Sequence, residues 1–282
     1  MKFRNPTAQV FVPDGLPPEA ALARTTHLAV VAHQDDAEIL AVHGILECFR
    51  RPDRWFCAVV MTDGRGSPRS GLYQDYTDEE MRAVRIEEQK KAAVVGEYGA
   101  LVLLDYPSAV LKDGRQEGPV ADLVAVFRAT RPEVVYTHNL ADKHPTHVAV
   151  ALRTIQALRA LPAPERPRHL YGCEVWRDLD WLPDEDKVIL DVSARESLQM
   201  ALLGVHDSQV AGGKRYDLAT MGRRRAHATY SATHEVDVLT GATFAMDLTP
   251  LIEDPNRDVG EYVRGFIDRF AREVAEQLGR MA

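Results

Sequence analysis

From residue 27 onward, apolar runs of strand length alternate four times with runs of helical period. "HLAVVA" (27–32) precedes a helical pattern over 36–50, and "WFCAVVMTD" (55–63) precedes one over 78–95. "ALVLLDY" (100–106) precedes one over 118–130, and "EVVYTH" (133–138) one that begins near Pro145. A strand apolar on both sides must be covered on both faces. Repeated β-then-α units achieve this by laying a parallel sheet between helices through right-handed crossovers. The helix at 78 opens on Thr77 with Glu80 three residues on, a capping box. Pro145 suits a first helical position, where its missing N–H would have no partner. The predicted fold class is therefore α/β, with a mostly parallel sheet and helices on both faces.

After residue 163 the pattern is less regular. "YGCEVW" and "KVILDV" are strand candidates, 193–205 is helical in pattern, and "GGKRYDLATMGRRRAHATYS" is a loop leading into a helix. Val259, Val263, Phe266, Phe270 and Val274 recur at helical spacing and predict an amphipathic helix packed on the core. With no internal repeat or linker, the expectation is a single domain over 1–282. Its core spans about 25–162, and a smaller C-terminal α+β extension spans about 163–282.

Composition narrows the function classes. Thirty-four basic against 42 acidic residues give a net charge of -8, which argues against a nucleic-acid footprint or a polybasic membrane signal. "GRRRAH" is too short to reverse this. Cys48, Cys57 and Cys173 are dispersed in apolar surroundings and read as reduced core thiols. The first 15 residues have no apolar h-region, and no apolar stretch has the length of a membrane span, so a soluble, cytoplasmic protein is expected.

In an open α/β sheet, ligands collect outside the carboxyl ends of the strands. At the first such end stands "HQDDAE" (33–38), where a dinucleotide-binding protein would carry glycines. Carboxylates there repel phosphate and attract a cation. His33 and Asp36 could aim at one ion, although a solvated acidic helix start explains the same residues. A second cluster, "THNLADKHPTHVAV" (137–150), follows the fourth strand and holds His138, Asp142, His144 and His147. Strands one and four are neighbours in the commonest doubly wound order, so the clusters meet in one crevice. His33, Asp36 and His147 then form a metal-ligand set with an open position. Asp35 is placed as general base toward water on the ion, His144 as donor to an oxyanion, and Asp142 as the partner that orients an imidazole. The chemistry expected is metal-assisted hydrolysis of a carbonyl compound.

These residues resemble a known family. "AHQDDAE" resembles the A-H-P-D-D-x-E signature of the PIG-L/LmbE family of zinc-dependent N-deacetylases, and "HPTH" its H-P-D-H signature. "TDGRGSP" resembles the loop after the family's second strand. Arg85, Glu88, Ala92 and Gly96 match its R-x-x-E…A…LG helix, and "HDSQ" (206–209) its H-x-S-Q element. The resemblance implies a Rossmann-like fold and removal of an acetyl group from a GlcNAc-containing small molecule. It assigns zinc to His33, Asp36 and His147, with Fe²⁺ or another divalent metal as the alternative. It makes Asp35 the base and His144 the transition-state stabiliser. Related enzymes often form oligomers, so a homo-oligomer is compatible with it.

Three residues depart from the pattern. Gln34 replaces the signature proline, Thr146 replaces the aspartate of H-P-D-H, and His43 stands where many members have glycine. Weaker signals remain. Arg65 and Arg85 are candidate substrate contacts, with a surface loop and a structural ion pair as the respective alternatives. His206 and Gln209 either line the pocket or cap a helix. Lys214, Arg215 and Arg223 to Arg225 read as a solvated helix face, and Trp176 and Trp181 as packing. Two other functions stay open: hydrolysis of a non-acetyl amide such as a thiol S-conjugate, and non-catalytic binding of metal and sugar. A binder has no need of Asp35 as a base.

Overall fold

The computed structural model describes residues 1–231 and 233–282. In chain order its main elements are β1 (Gln9–Phe11), α1 (Pro18–Ala23), β2 (His27–Val31), α2 (Asp36–Leu40), α3 (Val42–Cys48) and β3 (Phe56–Thr62). Then come α4 (Asp78–Val95), β4 (Ala100–Tyr106), α5 (Ser108–Lys112), α6 (Gly118–Thr130), β5 (Val134–His138) and α7 (Pro145–Arg159). The remainder comprises β6 (His169–Cys173), β7 (Lys187–Asp191), α8 (Glu196–Gly204), α9 (Asp207–Val210) and α10 (Tyr216–Tyr230). β8 (Ala242–Asp247), α11 (Thr249–Glu253) and α12 (Val259–Met281) complete it.

One eight-stranded sheet runs in the order β1-β4-β3-β2-β5-β6-β8-β7. The five central strands are parallel, and β1, β8 and β7 add antiparallel pairs at the flanks. β2 and β3 are buried at every residue, as their unbroken apolar runs require. Apolar clusters occupy both faces, one including Leu28, Val30 and Val59, the other Ala29, Val31 and Val60. β2 lies against β5, with His27 opposite Val134, so the two polar loops leave the sheet side by side. Thr77 and Glu80 close both halves of the capping box on α4.

Several elements differ from the sequence reading. The helical pattern at 36–50 breaks at Ala41 into α2 and α3. β1, α1 and β8 carry too short or too mixed a pattern to read. α12 packs on the core only through its first half: Phe266 is buried, whereas every residue from Ala271 to Ala282 is exposed. Among the described residues, no helix is long and apolar enough to cross a membrane.

Candidate metal centre

The turn after β2 and the loop after β5 meet at the carboxyl edge of the sheet. Three donor atoms converge there. His33 Nδ1 is 3.1 Å from His147 Nε2 and 3.2 Å from Asp36 Oδ2, and the last two are 3.5 Å apart. A tetrahedral ion with donors at about 2.0–2.1 Å has edges of about 3.3 Å, so the triangle fits one face of such a site. Two neutral-capable imidazoles and a carboxylate also suit zinc chemically. Asp36 is fixed by the backbone N–H of His33, which donates to Oδ2 at 2.7 Å. Burial opposes its charge, yet His147, His138 and His33 hold its carboxyl far below the usual range. Burial likewise opposes the charge on His147, but Asp36 and Asp142 carry its pKa upward.

Two further histidines stand beside these donors. The ligating atoms of His33, His144 and His147 lie within 4.8 Å of one another, as do those of Asp36, His138 and His147. His138 is fully buried and stacked on His147 at 3.9 Å, and its Nε2 accepts the Ala32 N–H at 2.9 Å. That lone pair is therefore spent, and His138 acts as a floor beneath the donors. The sequence reading named His138 but gave it no role; its place as the last residue of β5 was the available signal. His144 is the N-cap of α7, and its Nδ1 accepts the Thr146 N–H at 3.3 Å. This leaves Nε2 as the protonated nitrogen of the neutral ring. Burial, with His147 and His33 nearby, lowers its pKa to about 4, so the ring is neutral at pH 7.

Asp142 shapes the loop. It accepts backbone N–H groups from His144 (2.8 Å) and Trp176 (3.1 Å), and its Oδ2 lies 3.5 Å from His147 Nδ1. A carboxylate so placed can orient an imidazole whose other nitrogen meets an ion.

Asp35 occupies a left-handed backbone conformation, φ 100°, that a residue with a side chain rarely adopts. Its N–H donates to Gln89 Oε1 at 3.0 Å, and its carboxylate meets Arg85 at 2.9 Å. Burial raises its pKa, and Asp36 adds to this while Arg85 opposes it. Arg85, also buried, pairs with Glu88 and donates to the Gln34 carbonyl. The pair with Glu88 is the ion pair with a neighbouring Glu expected as the alternative to a sugar contact, and the further pair with Asp35 holds that carboxylate in place. Glu88 accepts both the N–H and the hydroxyl of Ser208, at 2.6 and 2.7 Å. Gln89 donates to Glu38, which also accepts from Tyr98 and lies 3.1 Å from His206 Nε2. The "HDSQ" stretch thus locks onto the network behind Asp35, and Gln209 reaches the cavity.

Over these groups opens a cavity of about 680 Å³. Its floor includes His33, Asp35, Asp36 and His144, and its wall includes Trp176 and Tyr216. Arg65 is not among the lining residues; it pairs with Asp63 at 2.7 Å and Glu79 at 3.0 Å. Trp176 faces the cavity and not the core, whereas Trp181 packs against Phe270. Arg224 is buried and donates to the carbonyls of Glu38 and Ile39, so it is no part of a solvated face.

The departures from the signature have local explanations. The Gln34 amide donates to the Thr62 carbonyl at 3.1 Å, tying the β2 turn to the end of β3. Gly64 (φ 72°) makes room for it, since a Cβ there would lie 2.5 Å from Gln34 Oε1. Thr146 lines the cavity without supplying a donor. His43 turns to the Tyr136 hydroxyl at 2.8 Å, away from the cavity.

Residues 28–158 match the PIG-L family model, described as GlcNAc-PI de-N-acetylase. The chain is PIG-L-like across that stretch. No curated protein matches by sequence. Among solved structures, a conserved protein from Thermus thermophilus aligns at TM-score 0.63 and 20% identity, over 83% of this chain and all of its own. The 4-carboxy-2-hydroxymuconate hydratase from Pseudomonas putida aligns at 0.60 and 18%, over 79% of this chain and 96% of its own. The N,N'-diacetylchitobiose deacetylase from Pyrococcus horikoshii aligns at 0.61 and 15%, over 82% and 86% respectively. These likenesses establish the fold. The PIG-L-like stretch contains all three converging donors, Asp35 and His144; Trp176, Tyr216 and the "HDSQ" residues lie beyond it.

Proposed function

We propose that the protein is a metal-dependent amide hydrolase that removes the acetyl group from a GlcNAc-containing small molecule. The observation that carries this reading is the triangle of His33, Asp36 and His147 donors with Asp35 and His144 beside it on one cavity floor. The PIG-L match and the deacetylase neighbour support the reaction class. Zn²⁺ fits the donor set, and Fe²⁺ is the alternative. When bound, such an ion supplies Lewis-acid polarisation of the amide carbonyl and of water.

The chain's own residues divide the remaining work. Asp35, its pKa raised by burial, takes a proton from the attacking water and returns one to the leaving amine. Arg85 and Gln89 keep that carboxylate aimed. His144, neutral and protonated on Nε2, donates to the developing oxyanion.

A panel of GlcNAc derivatives assayed for acetate, with metal content measured on the same sample, tests this. Because a hydratase shares the fold, the assay follows acetate and not loss of substrate. We expect Asp35→Asn to retain metal while activity falls by roughly 10²-fold or more, and His147→Ala to lose the metal. Full activity in the first variant, or undiminished metal in the second, refutes the assignments. Turnover of a bulkier amide without acetate release would instead favour a non-acetyl amide substrate.

A further inference from the structure

The charge of the cavity changes from floor to mouth. Its carboxylates are Asp35, Asp36 and Asp63, all buried, and two of them face arginines, Asp35 meeting Arg85 and Asp63 meeting Arg65. The mouth carries Lys112 at the end of α5, with Lys214, Arg215 and Arg223 from α10 and the turn before it. Arg215 is neutralised by Asp217 at 2.8 Å. Among the described residues, the other three have no carboxylate within ion-pair distance, unlike Arg215. Two are nevertheless held at the wall. Lys214 Nζ sits over the Trp176 ring at 5.1 Å, and Arg223 Nη1 donates to the Val175 carbonyl at 2.7 Å. Trp176 and Val175 both line the cavity.

In a chain of net charge -8, three uncompensated cations around one concavity are not a reflection of composition. A cleft lined with one sign of charge concentrates its field and draws in a ligand of the other sign. A neutral sugar would need none of this, and the cavity, at about 680 Å³, lies in the range that holds drug-sized ligands. We infer that the substrate carries an anionic group, a carboxylate or a phosphate, remote from the acyl group, and that Lys112, Lys214 and Arg223 receive it. This inference rests on the amide-hydrolase reading, with the acyl group at the floor and the anion at the mouth. The sequence reading preferred a solvated face for Lys214 and Arg223; the cavity wall replaces that expectation.

Titration calorimetry on the zinc-loaded full chain tests it, using Asp35→Asn to suppress turnover. The probes are the methyl glycoside, the carboxymethyl glycoside and the 1-phosphate of N-acetylglucosamine. We expect at least one charged probe to bind roughly tenfold or more tighter than the methyl glycoside. That preference should shrink with added salt and approach one when Lys112→Gln, Lys214→Gln and Arg223→Gln are combined. Comparison of the two charged probes tells carboxylate from phosphate. Equal affinities overturn the inference, as does a preference that survives the triple substitution, which would put the anion on the ion. Acetate release by the wild-type chain is read separately. An anion preference without any acetate release would sink the deacetylase reading and leave the mouth as an anion site.

Discussion

At the scale of single residues, the adjacent aspartates have opposite fates. Asp36 is charged and fixed among imidazoles, while Asp35, one position away, is turned by its left-handed backbone toward Arg85. The convergence of His33, Asp36 and His147 was legible because these residue types stand in order at two strand ends along the chain. What Gln34 and His138 do was not legible, since each depends on a contact with another strand: Thr62 in one case, Ala32 in the other. Residues remote from the site also titrate. His27 is buried at the start of β2, and burial, with Arg54 and His43 nearby, lowers its pKa to about 4 from an ordinary 6.5. Between those values the unfolded chain binds a proton that the folded chain refuses. The contribution is therefore complete above pH 6.5, declines as the pH falls, and is lost below about 4. Replacing His27 by Phe should reduce the fall in stability across this window by about 3 kcal/mol. Urea unfolding at pH 7 and pH 4.5 checks this, and an unchanged pH dependence would contradict it.

At the scale of elements, β2 to β5 and the helices α4, α6 and α7 followed the sequence closely, because the strands are mainly apolar and α4 and α7 open on Thr77 and Pro145, whereas α5 gave no signal and α2 and α3 read as one helix. The later elements did not. β8 supplies the partner for both β6 and β7, yet "ATFAMD" alternates too little to announce a strand. α9 is four residues long, and its worth lies in Ser208, which reaches α4 across 120 positions of sequence. Ser208→Ala removes a hydroxyl from the buried Glu88 carboxylate and should lower stability by about 1–3 kcal/mol. Metal per chain should stay constant, because the network behind Asp35 holds no ligand. Thermal unfolding together with metal analysis checks the pair of outcomes; loss of metal would mean that α9 supports the donors as well.

At the scale of the whole molecule, α12 begins against the body and ends free of it. Ile267, Phe270, Val274, Leu278 and Met281 are all exposed along its length. A chain ending at Phe270 should unfold within about 0.5 kcal/mol of the full one, since residues 271–282 are all exposed. A clearly larger loss, dependent on protein concentration, would mean that a second copy covers the stripe.

The site is divided in the same way along the chain. The groups suited to breaking a bond lie between residues 33 and 147, and the rest of the cavity lining draws both on that tract, through residues 62–64 and 66–68, Ser108 and Lys112, and on residues 175 to 223. Part of the cavity's shape is therefore encoded where the likeness to the family stops.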